Sequence, residues 1–147
     1  MEKTRRIEIL LVEDDQGDVD LTAEALEGSK LPLSLNVVRD GFEAMEYLHR
    51  GGRFAKAPKP DIILLDLNMP RKDGRQVLRE IREDPDLAPI PVIVLTASSA
   101  DEDILRSYEL RCNCYLTKPV KLAEFMKVVR VVGDFWATVV KLPGRDE

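Results

Sequence analysis

Sulfur and imidazole are scarce in this chain. It holds two cysteines, Cys112 and Cys114, and one histidine, His49. Two cysteines this close form no disulfide framework, so a reducing, cytoplasmic setting is expected. They are also too near each other for an easy disulfide, and two thiols alone make a poor zinc site. They read as packing residues. No apolar run approaches the length of a membrane span. The amino terminus, Met1-Glu2-Lys3-Thr4-Arg5-Arg6, is basic but leads straight into an apolar strand. It lacks the apolar region and small-residue cleavage site of a signal peptide. Repeats and low-complexity segments are missing too. The formal net charge of −5 argues against nucleic acid as a direct partner. What is present is 147 residues, 44% apolar and 33% charged, enough for one globular domain with an ordinary core.

Short apolar runs alternate with helical spacing, which is the pattern of a parallel sheet built from βα units. The runs are Ile9-Leu10-Leu11-Val12, Leu33 to Val38, Ile62-Ile63-Leu64-Leu65, Val92-Ile93-Val94-Leu95 and Tyr115-Leu116-Thr117. The third and fourth are apolar without alternation, as expected of strands covered on both faces. Leu33 to Val38 alternates more and reads as an edge strand. The spacing predicts helices over Gly17–Gly28, Phe42–His49, Arg75–Glu83, Asp101–Leu110 and from Leu122 onward. Asp40-Gly41, Asp73-Gly74, and Ser99 with Asp101 supply capping residues. Prolines 58, 60, 70, 85 and 89 mark the loops.

Four of the runs end in residues that phosphoryl chemistry uses. The first runs into Glu13-Asp14-Asp15, the third into Asp66, the fourth into Thr96, and the fifth into Lys118-Pro119. If these strands are parallel neighbours, their carboxyl ends meet in the crevice where open α/β sheets place their sites. Two readings of Glu13-Asp14-Asp15 are open. They form a solvated turn capping the first helix, or they join Asp66 around a hard divalent cation such as Mg2+. In the second reading Asp14 and Asp66 each give a carboxylate oxygen and Glu13 holds a coordinated water. A backbone carbonyl just after Asp66 completes the set. Asp15 suits the cap. Asp66 follows four aliphatics, where an unpaired buried carboxylate would be costly. It is a plausible nucleophile towards phosphorus. Thr96 offers a hydroxyl to a phosphoryl oxygen, with the small Ala97 leaving access. Lys118 offers a point charge, and Pro119 keeps it out of a helix. Taken singly, a strand-end threonine and a lysine before a helix are unremarkable. Their placement on successive strand ends sets them apart.

These stretches resemble the receiver domain of two-component response regulators. The matching residues are Leu10-Leu11-Val12-Glu13-Asp14-Asp15, Ile63 through Gly74 (with Asp66-Leu67-Asn68-Met69-Pro70), Val94-Leu95-Thr96-Ala97-Ser98 and Tyr115-Leu116-Thr117-Lys118-Pro119. The resemblance spans about Ile7 to Val132. It implies an α/β, flavodoxin-like (βα)5 fold, a doubly wound parallel five-stranded sheet in the order 2-1-3-4-5. It implies a phosphoacceptor rather than an enzyme, with at most slow self-phosphorylation and self-dephosphorylation. By this resemblance Asp66 accepts the phosphoryl group from a phosphohistidine. Asp14, Asp66 and the backbone carbonyl of Asn68 bind Mg2+, with Glu13 acting through water. Thr96 and Lys118 contact the phosphoryl group, and Tyr115 is the aromatic switch that moves inward when Thr96 engages it. Tyr115 read alone is a half-buried strand tyrosine. Leu110-Arg111-Cys112-Asn113-Cys114 departs from the Gly-Ala pair often found before the last strand. Ser107-Tyr108-Glu109-Leu110, Asn113-Cys114-Tyr115 and the tail Phe135-Trp136…Val140-Lys141-Leu142-Pro143 are similar to stand-alone regulators paired with bacterial and cyanobacterial phytochrome kinases.

The organisation expected is one receiver domain over 1–147, with 133–147 extending the last helix into a tail. Those fifteen residues are too few for an output domain, so the output is a contact made by the receiver or onward transfer in a phosphorelay. Val132, Phe135, Trp136, Val139 and Val140 continue the helical spacing of Leu122, Phe125, Met126 and Val129. They either complete the core or extend an apolar patch. The narrower resemblance points to a homodimer through this face. His49, at a helix end, reads as a surface residue, so the phosphodonor is a separate sensor histidine kinase or an acyl phosphate. Three rivals remain. An aspartyl phosphatase would want an acid two residues after Asp66, where Asn68 stands. A flavin carrier would want Thr, Ser and Gly where Glu13-Asp14-Asp15 stand. A pseudo-receiver that binds partners without phosphorylation would not need so complete a pocket.

Overall fold

The computed structural model describes residues 6–67, 74–96 and 114–131. Across them run the strands β1 (Ile7–Val12), β2 (Leu33–Val38), β3 (Ile62–Asp66), β4 (Val92–Thr96) and β5 (Cys114–Thr117). The helices are α1 (Gln16–Glu27), α2 (Gly41–Leu48), α3 (Gly74–Glu83) and α4 (Leu122–Val131). The strands form one sheet in the order β2-β1-β3-β4-β5, and every pairing is parallel. This is the expected flavodoxin-like, doubly wound arrangement. The helix expected over Asp101–Leu110, together with Asn68, Ala97, Cys112 and the tail from Val132, lies outside the described residues.

The unbroken aliphatic runs explain the layering. Successive side chains of a strand point to opposite faces. In β1, β3 and β4, Leu10, Val12, Ile63, Leu65, Val92 and Val94 pack on one side with Ala44, Met45 and Leu48 of α2 and Val77, Leu78 and Ile81 of α3. Ile9, Leu11, Ile62, Leu64, Ile93 and Leu95 pack on the other with Val19 and Leu26 of α1 and Phe125, Val128 and Val129 of α4. Every residue of β3 and β4 is buried. Each buried Ile or Leu contributes roughly 1.5–3 kcal/mol from transfer alone. Strand β2 is half-buried along most of its length and occupies a sheet edge, in line with its alternating sequence.

The helix starts are set by local polar chemistry. Asp15 takes extended backbone angles and accepts from the Asp18 amide at 2.9 Å, so α1 begins at Gln16. Asp40 accepts from the Glu43 amide at 2.9 Å, and Glu43 in turn accepts from the Arg39 amide at 2.9 Å. At α3 the constraint is steric. The Gly74 amide donates to the Leu67 carbonyl at 3.0 Å. A Cβ on Gly74 would collide with the Asp66 carbonyl oxygen and sit 2.6 Å from Leu67 Cα. Only glycine lets α3 start so close to the chain leaving β3.

Gly74→Ala is therefore expected to lower the unfolding free energy by about 2 kcal/mol, read as a lower urea midpoint at unchanged slope. A loss under about 0.5 kcal/mol, the level of an ordinary surface change, would mean that the Asp66–Leu67 main chain yields freely.

Candidate functional site

Strand register brings the chemistry-bearing residues to one end of the sheet. Val12 pairs with Leu65, so Glu13 and Asp66 leave β1 and β3 at the same height. Asp66 pairs with Leu95, and Thr96 with Thr117, so Thr96 and Lys118 follow on the next two strands. Main-chain bonds continue past the ladders. The Glu13 amide donates to Val38 O at 3.0 Å and the Lys118 amide to Thr96 O at 2.7 Å. The Lys118–Pro119 peptide is cis.

Glu13 and Asp66 are 1% and 3% exposed, which is unusual for two carboxylates side by side. The Lys118 ammonium joins them, 3.0 Å from Glu13 Oε1 and 3.2 Å from Asp66 Oδ2, and it lies 2.9 Å from Asp18 Oδ2. Burial opposes the charge on Lys118. The hydrogen bonds to Asp18 and Glu13 and the charge of Asp66 outweigh it and hold the pKa above the ordinary lysine value. Glu13 responds the other way. Burial foremost, then the Asp66 charge, push it up to about 7, against the pull of Lys118 and the Asp15 amide. The cluster thus carries more negative charge than one lysine offsets.

Single carboxylate oxygens of Glu13, Asp14 and Asp66 lie within 4.8 Å of one another, and Asp14 is open to solvent. An all-oxygen, water-accessible donor set of this kind fits a hard divalent cation that keeps part of its hydration. The acidic triplet is divided between the two readings. Asp15 is the helix cap, Glu13 is buried, and Asp14 faces the solvent side of the cluster. Thr96 is buried at the end of β4. Tyr115 is half-buried on β5 and packs against the core shared with α2 and α3. Asn68 and Ala97 fall outside the described residues. His49 closes α2, at the opposite end of the strands, with Nε2 3.1 Å from Asp84 Oδ2, and so stands apart from the site.

Asp18 is the residue that sequence reasoning missed. Helix α1 starts where β1 ends, so its first turn overhangs the carboxyl edge of the sheet. Asp18 stands in that first turn, three residues after the cap Asp15. Read with that spacing, a second acid in the first turn would have pointed to the pocket.

Residues 9–130 match the family model of the response regulator receiver domain. Response regulator Rcp1 of Synechocystis sp. is 48% identical over 135 residues, covering 92% of each chain. The crystal structure of the phosphorylated cyanobacterial phytochrome response regulator RcpA is similar at a TM-score of 0.75 and 47% identity, over 95% of this chain and 99% of that one. The Mn2+-bound form of Rcp1 is similar at 0.73 and 47%, over 93% and 99%. This chain belongs to the receiver-domain family of response regulators. Receiver domains are signalling modules that bind Mg2+ or Mn2+ at an acidic site. Among the described residues no helix is long and apolar enough to cross a membrane.

Removing Lys118 leaves two buried carboxylates uncompensated. Lys118→Ala is expected to cost about 3 kcal/mol of unfolding free energy in EDTA at pH 8, with part of it recovered in millimolar Mg2+. Urea denaturation in both buffers checks this. Wild-type stability in the variant would mean that water, not Lys118, balances the pair.

Proposed function

We propose that residues 1–147 form a single-domain response regulator that accepts a phosphoryl group on Asp66 from a partner histidine kinase and signals through a changed interaction surface. In this reading the helical spacing of the sequence carries on from the last helix into a tail over 133–147. One observation carries this reading: the nearly buried Asp66 carboxylate faces Lys118 at 3.2 Å while sharing a cluster with Glu13 and Asp14 oxygens. A carboxylate so placed is held in one orientation for attack on phosphorus.

An Asp66 oxygen forms the new bond to phosphorus. The bond from phosphorus to the imidazole nitrogen of the donor, or to the carboxyl oxygen of an acyl phosphate, breaks, and the leaving group departs with the electron pair. Asp14, Asp66 and the Asn68 carbonyl would hold Mg2+, with Glu13 acting through a water. The cation's contribution is to neutralise charge on the phosphoryl oxygens. Thr96 donates its hydroxyl to one phosphoryl oxygen and Lys118 pairs with another. Tyr115, half-buried two residues before Thr117, then moves inward as the switch. The relatives named for phytochrome systems support a phytochrome-type sensor kinase as donor.

Incubation with acetyl phosphate and Mg2+ is expected to add one phosphoryl mass to the intact wild type, none to Asp66→Asn, and none to either in EDTA. No addition in any sample would leave a phosphorylation-independent binding module. The apolar spacing carried on from α4 through Phe135, Trp136, Val139 and Val140 supports a homodimer through this face. Light scattering at tens of micromolar is expected to give twice the chain mass. A monomer both with and without phosphorylation would refute the dimer.

A further inference from the structure

Asp18 is a fourth carboxylate at the pocket, and the roles assigned so far give it no part. It stands in the first turn of α1 with its side chain 32% exposed. It lies outside the group of oxygens close enough to share a cation, which comprises Glu13, Asp14 and Asp66. Its contact is with Lys118 alone among the cations described, at 2.9 Å, the shortest of the three that Lys118 makes.

A lysine ammonium has three N–H donors and no more. Here each points to a carboxylate: Asp18, Glu13 and Asp66. A phosphoryl oxygen on Asp66 can therefore draw on Lys118 only if one contact is released. The three differ in how readily they let go. Phosphorylation of Asp66 removes the charge from its carboxylate and weakens its hold on the ammonium. A cation at the acidic cluster gives Glu13 another positive partner. Asp18 is neither the phosphorylated residue nor one of the oxygens close enough to share a cation, and it has no alternative cation among the described residues. It is the acceptor that stays to compete.

Granting the phosphoacceptor role proposed above, we infer that Asp18 is a positioning residue that holds Lys118 in its resting place and competes with the phosphoryl group for it. The contact sets how far the equilibrium lies towards the acyl phosphate. In the resting protein the bond also keeps the ammonium drawn to the α1 side of Asp66. On phosphorylation a phosphoryl oxygen takes the N–H that Asp66 gives up, against the continued pull of Asp18 on the ammonium, and the phosphorus–oxygen bond formed and the donor bond broken are those given above.

The test is the acetyl phosphate concentration giving half-phosphorylation at steady state, followed by intact mass in Mg2+. For Asp18→Asn this concentration is expected to fall about fivefold, the discount for partial exposure included. The shift should persist at high ionic strength, where a mere long-range field would be screened. Asp20→Asn removes one charge from the same helix, but among the described residues the Asp20 side chain pairs with Gln16, at 2.7 Å, and not with Lys118; it should behave as wild type. Asp18→Glu, which keeps the anion, should return the midpoint towards the wild-type value. An unshifted Asp18→Asn midpoint would overturn the inference, as would an equal shift in Asp20→Asn. Failure of the underlying function is distinct: the wild type itself would then take up no phosphoryl group, and the inference would fall with it.

Discussion

Two ionised carboxylates on neighbouring strands are costly to bury together unless positive charge is buried with them. Desolvating each costs several kcal/mol, and their mutual repulsion adds to it in a medium less polar than water. Glu13 and Asp66 meet this condition through Lys118, which reaches them from the far side of the sheet at 3.0 and 3.2 Å. The strand order follows from the same need. Lys118 can stand beside Asp66 only because β4 and β5 follow β3 in the sheet and end at matching heights. The compensation is incomplete: burial foremost, with the Asp66 charge adding to it, holds the Glu13 pKa up against the pull of Lys118. A site left short of positive charge is one to which a divalent cation adds stability and order.

The hydrophobic architecture serves this arrangement by being symmetric. Neighbouring residues such as Leu64 and Leu65 belong to cores on opposite faces, so β3 is gripped by helices from both sides. Asp66 sits at the end of the central strand of the sheet. Functional groups on such an element keep their geometry better than groups on a loop.

Much of this was legible in the sequence because the signals were strong and local. Four aliphatics in a row have no amphipathic reading, so Ile62 to Leu65 and Val92 to Leu95 could only be strands covered on both faces. The alternation of Leu33 to Val38 likewise fits the edge position of β2. Asp15 was readable as a cap because its residue type and its place before the helical spacing agree. Helix starts slipped by one residue: glycines 41 and 74 were read with the caps just before their helices yet stand inside α2 and α3. Gly74 is there for its missing side chain, a requirement of tertiary packing that no local pattern carries. Asp18 escaped for a similar reason. In sequence it is one acid among several at a helix start. Its meaning comes from Lys118, a hundred residues away. The parts expected of Asn68, Cys112 and the tail fall outside the described residues.

The Lys118 amide bonded to the Thr96 carbonyl ties together the two residues that flank Asp66 on the β4 and β5 side. At 2.7 Å, and prolonging the β4–β5 ladder by one rung, the bond leaves little slack. The ends of β4 and β5 are in this respect a single mechanical part. If the main chain at Thr96 is displaced, Lys118 and the segment entering α4 travel with it, as a hinge leaf travels with its pin.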